Sequence, residues 1–258
     1  MYGVKKIRES LGDVKEILGY LKRDKVFVSC SLIIAIITFC SIFAPYITPY
    51  DPIKTNIKEK LQPPNPKHWF GTDQFGRDIL SRVIWGSRAS LMAAFFSMVS
   101  ALFVGTALGM VAGYLGGYID TIIMRLMDVI FAFPSVVLAI ALLASIGPGM
   151  QNIILVVVIV AIPRFARVAR GCVLSEKENL YVMSEKALGA STFRILFSHI
   201  LPNALAPILV QATLYMGWAI LMEAALSFLG VGIRPPEASW GEMLNNGRPY
   251  INSGEWWM

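Results

Sequence analysis

The sequence predicts an all-α protein, a polytopic bundle of transmembrane helices. Three observations predict it. Of 258 residues, 55% are hydrophobic and only 16% are charged, with a mean hydropathy of +0.59. A soluble domain carries about 25% charged residues, so this balance excludes a disordered chain and an ordinary soluble module. The apolar residues gather into five stretches, each at or near the roughly 20 residues needed to cross a hydrocarbon core about 30 Å thick. Finally, the net charge of +6 sits in the segments between those stretches. That placement fits anionic lipid and membrane topology rather than a nucleic-acid surface.

The elements follow in chain order. Val4, Ile7, Leu11, Val14, Leu18 and Leu21 recur at intervals of three and four, which makes one stripe of a helix. Residues 1–25 are therefore expected to form an amphipathic helix on the inner membrane surface. The alternative is a helix packed on a protein partner. The first span is expected from Val26 to Tyr46, too long and too late for a cleaved signal. Further spans are expected over Ser90–Tyr114, Val129–Ile146, Asn152–Ala169 and Ala204–Leu229. With the N-terminus inside, the inner segments hold fourteen Lys and Arg and the outer segments nine, the direction that the positive-inside rule requires.

The second span carries Ala93, Ser97, Ala101, Gly105, Gly109, Gly113 and Gly117 at intervals of four. One helix face thus has almost no side chain, which lets another backbone approach closely and gain van der Waals contact in lipid. Ala101, Gly105, Gly109 and Gly113 are read as helix-packing residues. The last residues, Glu255-Trp256-Trp257-Met258, look like an interfacial belt at the mouth of a further span. The chain is accordingly expected to stop short of its last helix.

The missing chemistry narrows the function. No Gly-x-x-x-x-Gly-Lys-Ser/Thr phosphate cradle occurs. His68 and His199 lie far apart, and Cys30, Cys40 and Cys172 lack metal-ligand spacing, so the three cysteines read as packing residues. No catalytic residue, metal site or resident cofactor is expected. Glu223 alone is read as an acid deep in a span. It is either a pathway residue or a structural acid bonded to a neighbouring helix. A secondary transporter usually shows several such groups, so that alternative is disfavoured. A membrane assembly subunit without a transport role also remains open.

The inner segment Arg164–Ile200 has a helical pattern interrupted by Gly189, a natural helix stop, with Ser191 or Thr192 able to cap a new helix. Two short helices are expected there, projecting below the bundle. The run from Tyr181 through Ser191, followed by His199-Ile200-Leu201-Pro202-Asn203, resembles the EAA loop of bacterial ABC importer permeases. Met183-Ser184-Glu185 stands where that family usually has Glu-Ala-Ala. The run from Phe70 to Arg82, the run Gly113–Asp120, and the run Glu223–Gly230 also resemble that family, in its C-type subunit for dipeptides, oligopeptides or nickel. The resemblance covers residues 20–258, with the importer core at about 85–258.

The resemblance implies a multi-pass permease of a bacterial or archaeal cell membrane, N-terminus cytoplasmic, continuing into a sixth span. It implies a second related permease, two ABC ATPase subunits that bind the ATP, and an extracytoplasmic solute-binding protein. It places Glu176, Tyr181, Met183, Ser184, Glu185, Lys186, Ala187, Leu188, Gly189, Ala190 and Ser191 at the contact with an ATPase subunit.

Overall fold

The computed structural model describes residues 24–258, so the expected amphipathic helix lies almost wholly outside the described residues. Two compact units divide between residues 47 and 48. In the first, helix α1 (Lys25–Ile42) starts on Asp24, whose carboxylate accepts from the backbone N–H of Val26 at 2.9 Å and of Phe27 at 3.3 Å. Such a cap satisfies two of the four amides that a helix start leaves unpaired. A turn at Phe43 separates α1 from the short α2 (Ala44–Ile47). The expected first span is therefore broken near its C-terminal end.

The second unit opens with a compact segment, residues 48–78, that owes its shape to the Phe70–Arg82 run. The Asp73 carboxylate accepts from the backbone of Phe75 and Arg77 at 2.8 and 2.9 Å and from Arg77 Nε at 2.6 Å. Gly76 adopts φ +72°, and a Cβ there would lie 1.8 Å from the carbonyl oxygen of Asn56. Only glycine allows that turn and that approach. Asp78 caps α3 (Ile79–Leu115) through the Ser81 amide at 2.8 Å and also binds His68 Nδ1 at 2.9 Å.

Helix α3 has 37 residues and is about 55 Å long. It starts eleven residues before the expected span, because Asp78 supplies the cap and the polar first turns lie among residues 48–78. It ends at Gly116, φ +67°. Gly117 therefore begins the next helix and does not belong to the α3 small-residue face, a correction to the expected stripe.

The third span is also corrected. Helices α4 (Gly117–Phe131) and α5 (Ser135–Ile146) meet at 90°. Pro134 cannot donate a helical hydrogen bond, and it disfavours helical backbone at Phe133, so the chain turns there.

Helix α6 (Met150–Glu176) runs past the expected end at Ala169, with Pro163 inside it. After α7 (Leu180–Ala187) comes α8 (Thr192–Phe228), which is a single helix containing a π-helical segment, Ile195–Ile200. The expected second short helix is thus the first turns of the last long helix. Pro202 has no N–H for the Ser198 carbonyl, and the wider π register just before it carries the helix through. Among the described residues, four helices are long and apolar enough to cross a membrane, or five if α4 and α5 count as one broken span.

Helix α6 is the main neighbour of α3. An added Cβ would lie 2.6 Å from Phe165 Cβ at Gly105, 2.2 Å from the Ala166 carbonyl oxygen at Gly109, and 2.9 Å from Val173 Cβ at Gly113. Ala101 on the same face is fully buried. The core continues through Phe165, Val156, Tyr215 and Leu226, which joins α6 to α8. One end of the unit gathers residues 48–78, the α5–α6 turn, and α9 (Trp240–Gly247) with the loop before it. The opposite end gathers the ends of α3 and α6, α7, and the start of α8.

Candidate functional site

Helix α7 is anchored by one buried side chain, a side-chain network at its start and a cap at its end. Val182 is 3% exposed and packs among Met110, Val173, Ile195 and Ile200. At the N-terminal side, Glu176 Oε2 accepts from Asn179 Nδ2 at 2.9 Å and from the Tyr181 hydroxyl at 2.5 Å. Tyr181 accepts in turn from Asn203 Nδ2 on α8 at 2.9 Å. Partial burial, and next the Glu176 carboxylate, push the Tyr181 phenol above its ordinary pKa. It therefore stays protonated and keeps donating.

The C-terminal side is a Schellman turn. The Gly189 N–H donates to Lys186 O at 3.1 Å and the Ala190 N–H to Glu185 O at 3.0 Å, with Gly189 at φ +82°. These bonds satisfy carbonyls that the helix end would otherwise leave open, and the positive φ is what glycine supplies. Ser191 then caps α8 by accepting from the Arg194 N–H at 3.4 Å. Lys177 Nζ donates to Gly113 O at 3.1 Å and ties the approach to α3.

So anchored, the helix holds an apolar surface open. Leu180 is 81% exposed, Met183 57% and Leu188 83%. Beside them a cleft of about 660 Å³ is lined by Tyr114, Lys177, Glu178, Met183 and Lys186. Ser184 donates back to Leu180 O at 2.8 Å, and Glu185 lies 3.7 Å from His199 Nε2. The residues assigned from sequence thus fall on one projection: Glu176 ends α6, Tyr181 through Ala187 lie on α7, and Leu188 through Ser191 make the turn.

Glu223 lies at the other end of the unit and is 1% exposed. Its oxygens accept from Ser90 Oγ on α3 at 2.6 Å and from Ser227 Oγ on α8 at 2.8 Å. Each serine oxygen accepts a backbone N–H, Ser90 from Trp240 at the start of α9 at 3.4 Å and Ser227 from Ile233 in the loop before it at 3.2 Å. Nearby, buried Arg82 bonds Glu242 Oε2 at 2.7 Å and Pro52 O at 2.9 Å. Together these bonds fasten α9 and its preceding loop onto α3.

A further set escaped the sequence reading, which assigned Arg164 to the inner segment. Helix α6 carries Arg164, Arg167 and Arg170 at intervals of three, which places them along one face. Arg170 pairs through two bonds with Asp120, at 2.5 and 2.6 Å, and Arg167 with Asp128 at 2.8 Å. Arg164 has no carboxylate within ion-pair distance among the described residues. Its guanidinium lies 4.3 Å from the ring centroid of Trp218 on α8. Such a stack contributes about 0.5–2 kcal/mol. A cation at the centre of a hydrocarbon core costs about 2.5–3.5 kcal/mol on insertion scales, more than such a stack returns. The interval of three, together with Asp120 and Asp128 on the stretch before it, was the signal available in the sequence.

Comparison with known proteins places this architecture. Residues 105–253 match the family described as binding-protein-dependent transport system inner membrane component. The chain belongs to this family. Residues 14–64 of the permease match the N-terminal transmembrane domain of oligopeptide transport permease C. The permease is 46% identical over 242 residues to a dipeptide transport system permease protein of Alkalihalophilus pseudofirmus, covering 94% of this chain and 80% of that one. It is 42% identical to a probable D,D-dipeptide transport system permease protein of Escherichia coli, with coverage of 94% and 81%. It is 43% identical to a glutathione transport system permease protein of Pectobacterium atrosepticum, with coverage of 88% and 75%. Among solved structures, an inward-facing form of the MetNI methionine ABC transporter shares the fold, with a TM-score of 0.55 at 17% identity over 68% of this chain and 82% of that one. The permease is thus a multi-pass inner membrane component of C type. A subunit of such a system works with a separate ATPase and a solute-binding protein.

Proposed function

We propose that this permease is the C-type subunit of an ATP-driven importer of short peptides, with α7 seated in a groove of an ATPase subunit on the cytoplasmic side. The observation that carries the reading is α7 itself: a helix pinned at both ends that presents Leu180, Met183 and Leu188 to the outside. Burying each such side chain against a partner contributes about 1.5–3 kcal/mol. The dipeptide, D,D-dipeptide and glutathione transport proteins among its relatives support the substrate class. A second related permease completes the path, two ATPase subunits bind ATP, and a solute-binding protein meets the opposite end, near Glu223. The permease performs no chemistry. Closure of the ATPase pair displaces α7, and the helices shift between inward-open and outward-open populations.

Gly189→Val tests the docking. A β-branched residue at φ +82° costs about 1–3 kcal/mol locally, although the site is otherwise open. The expected result is an assembled complex whose ATPase activity no longer rises with substrate. Leu188→Asp, which leaves the turn intact, should lower ATPase co-purification. Wild-type coupling in both variants would refute the docked α7.

A further inference from the structure

We infer that Arg164 is the substrate-carboxylate group of the transport path, a cation held over Trp218 and facing water rather than lipid. The inference rests on the peptide reading above and assigns it a residue. Arg164 is the fifteenth residue of α6 and lies about 21 Å along the helix from Met150, inside a hydrocarbon core about 30 Å thick. Its two neighbours on the same face are neutralised by Asp128 and Asp120 of α4. The ladder stops at Arg164 because α4 stops at Phe131 and the chain turns away at Pro134. A half-buried guanidinium left without a carboxylate in the membrane faces a water-filled cavity or an arriving anion.

The site around it is rigid. The Trp218 ring stacks on Tyr215 at 5.1 Å, and the Tyr215 hydroxyl donates to Val157 O at 2.9 Å, back on α6. The aromatic platform holds the guanidinium in place while its N–H groups remain available for a carboxylate. Every peptide with a free C-terminus brings one. A cation stacked on a ring, and not locked in an ion pair, can bind a carboxylate and release it.

Two measurements on the assembled importer test this. Gly217 adjoins Trp218, and a side chain there meets nothing within 4 Å. Gly217→Cys, on a background lacking the three native cysteines, should react several-fold faster with an anionic than with a cationic thiol reagent of similar size. Arg164→Gln should abolish that preference. No reaction with either reagent, or an unchanged ratio, overturns the inference without reference to any peptide. In proteoliposomes, Arg164→Gln should lower uptake of a free-acid dipeptide at least tenfold with assembly intact, and Arg164→Lys should stay within about threefold of wild type. Loss of assembly in Arg164→Gln would make Arg164 an ion-pair partner of a neighbouring subunit and overturn the inference. If wild type moves no dipeptide, the peptide reading and its carboxylate assignment fall together, while the reagent test still decides whether Arg164 draws anions through water.

Discussion

Glu223 shows how one acid can serve two helices and a loop. Its two oxygens engage α3 and α8 through serines, and those serines hold the amides of Ile233 in the loop and of Trp240 at the start of α9. The arrangement supports a structural role over a pathway role. Glu223→Gln retains an acceptor and two donors for the same hydroxyls and should leave assembly and transport near wild type. Glu223→Leu strands both serines, and each buried polar group left without its partner costs about 1–3 kcal/mol. The expected outcome is a lower melting temperature and poor recovery of complex for Leu alone. A Gln variant that assembles normally yet transports slowly would instead make Glu223 a pathway charge.

At the level of elements, the α3–α6 contact is the most extensive helix pairing among the described residues. A leucine at Gly109 would have to displace the α6 backbone, because even a Cβ falls 2.2 Å from Ala166 O. Overpacking a core typically costs about 1–3 kcal/mol when side chains can yield, and backbone yields less. Gly109→Leu should therefore prevent assembly, visible as absent complex in size-exclusion chromatography. Wild-type assembly and melting would mean that this face tolerates bulk.

The four-residue spacing was legible because small residues on one face have no other use in lipid. The helix ends were less so. Hydropathy marks where apolar residues begin, whereas α3 begins where Asp78 caps it, and the intervening turns contain Arg82 and Arg88. The bend at Phe133-Pro134 was hidden because both of its arms are apolar. The single helix through Ile195–Phe228 was hidden because Pro202 reads as a break when it is bridged by a π register. The projection at Gly189 was legible as a stop and a restart. The stack of Arg164 on Trp218 was not, since the two residues lie on different helices and only their packing brings them together.

Taken whole, the second unit sorts its segments to two ends. Residues 48–78 and 230–258 share one end, and α7 lies at the other. On the proposed topology α7 is cytoplasmic. Lys58→Cys should label from outside intact cells with an impermeant thiol reagent, and Glu178→Cys should label only after permeabilisation. Both positions are exposed. Outside labelling of position 178 would invert the topology and detach α7 from any cytoplasmic ATPase. Helix α6 joins the two ends, and its 27 residues span about 40 Å. Near its midpoint Pro163 leaves the Ile159 carbonyl without its usual amide, so the rod is most compliant there. Below that joint, α6 rides against the bare backbone of α3 at Gly109 and Gly113 and cannot slip past it. On the proposed docking, a push on α7 would be delivered to a two-helix strut. On that reading, a swing of about 10° about Pro163 would carry the α7 end of the strut roughly 3–4 Å.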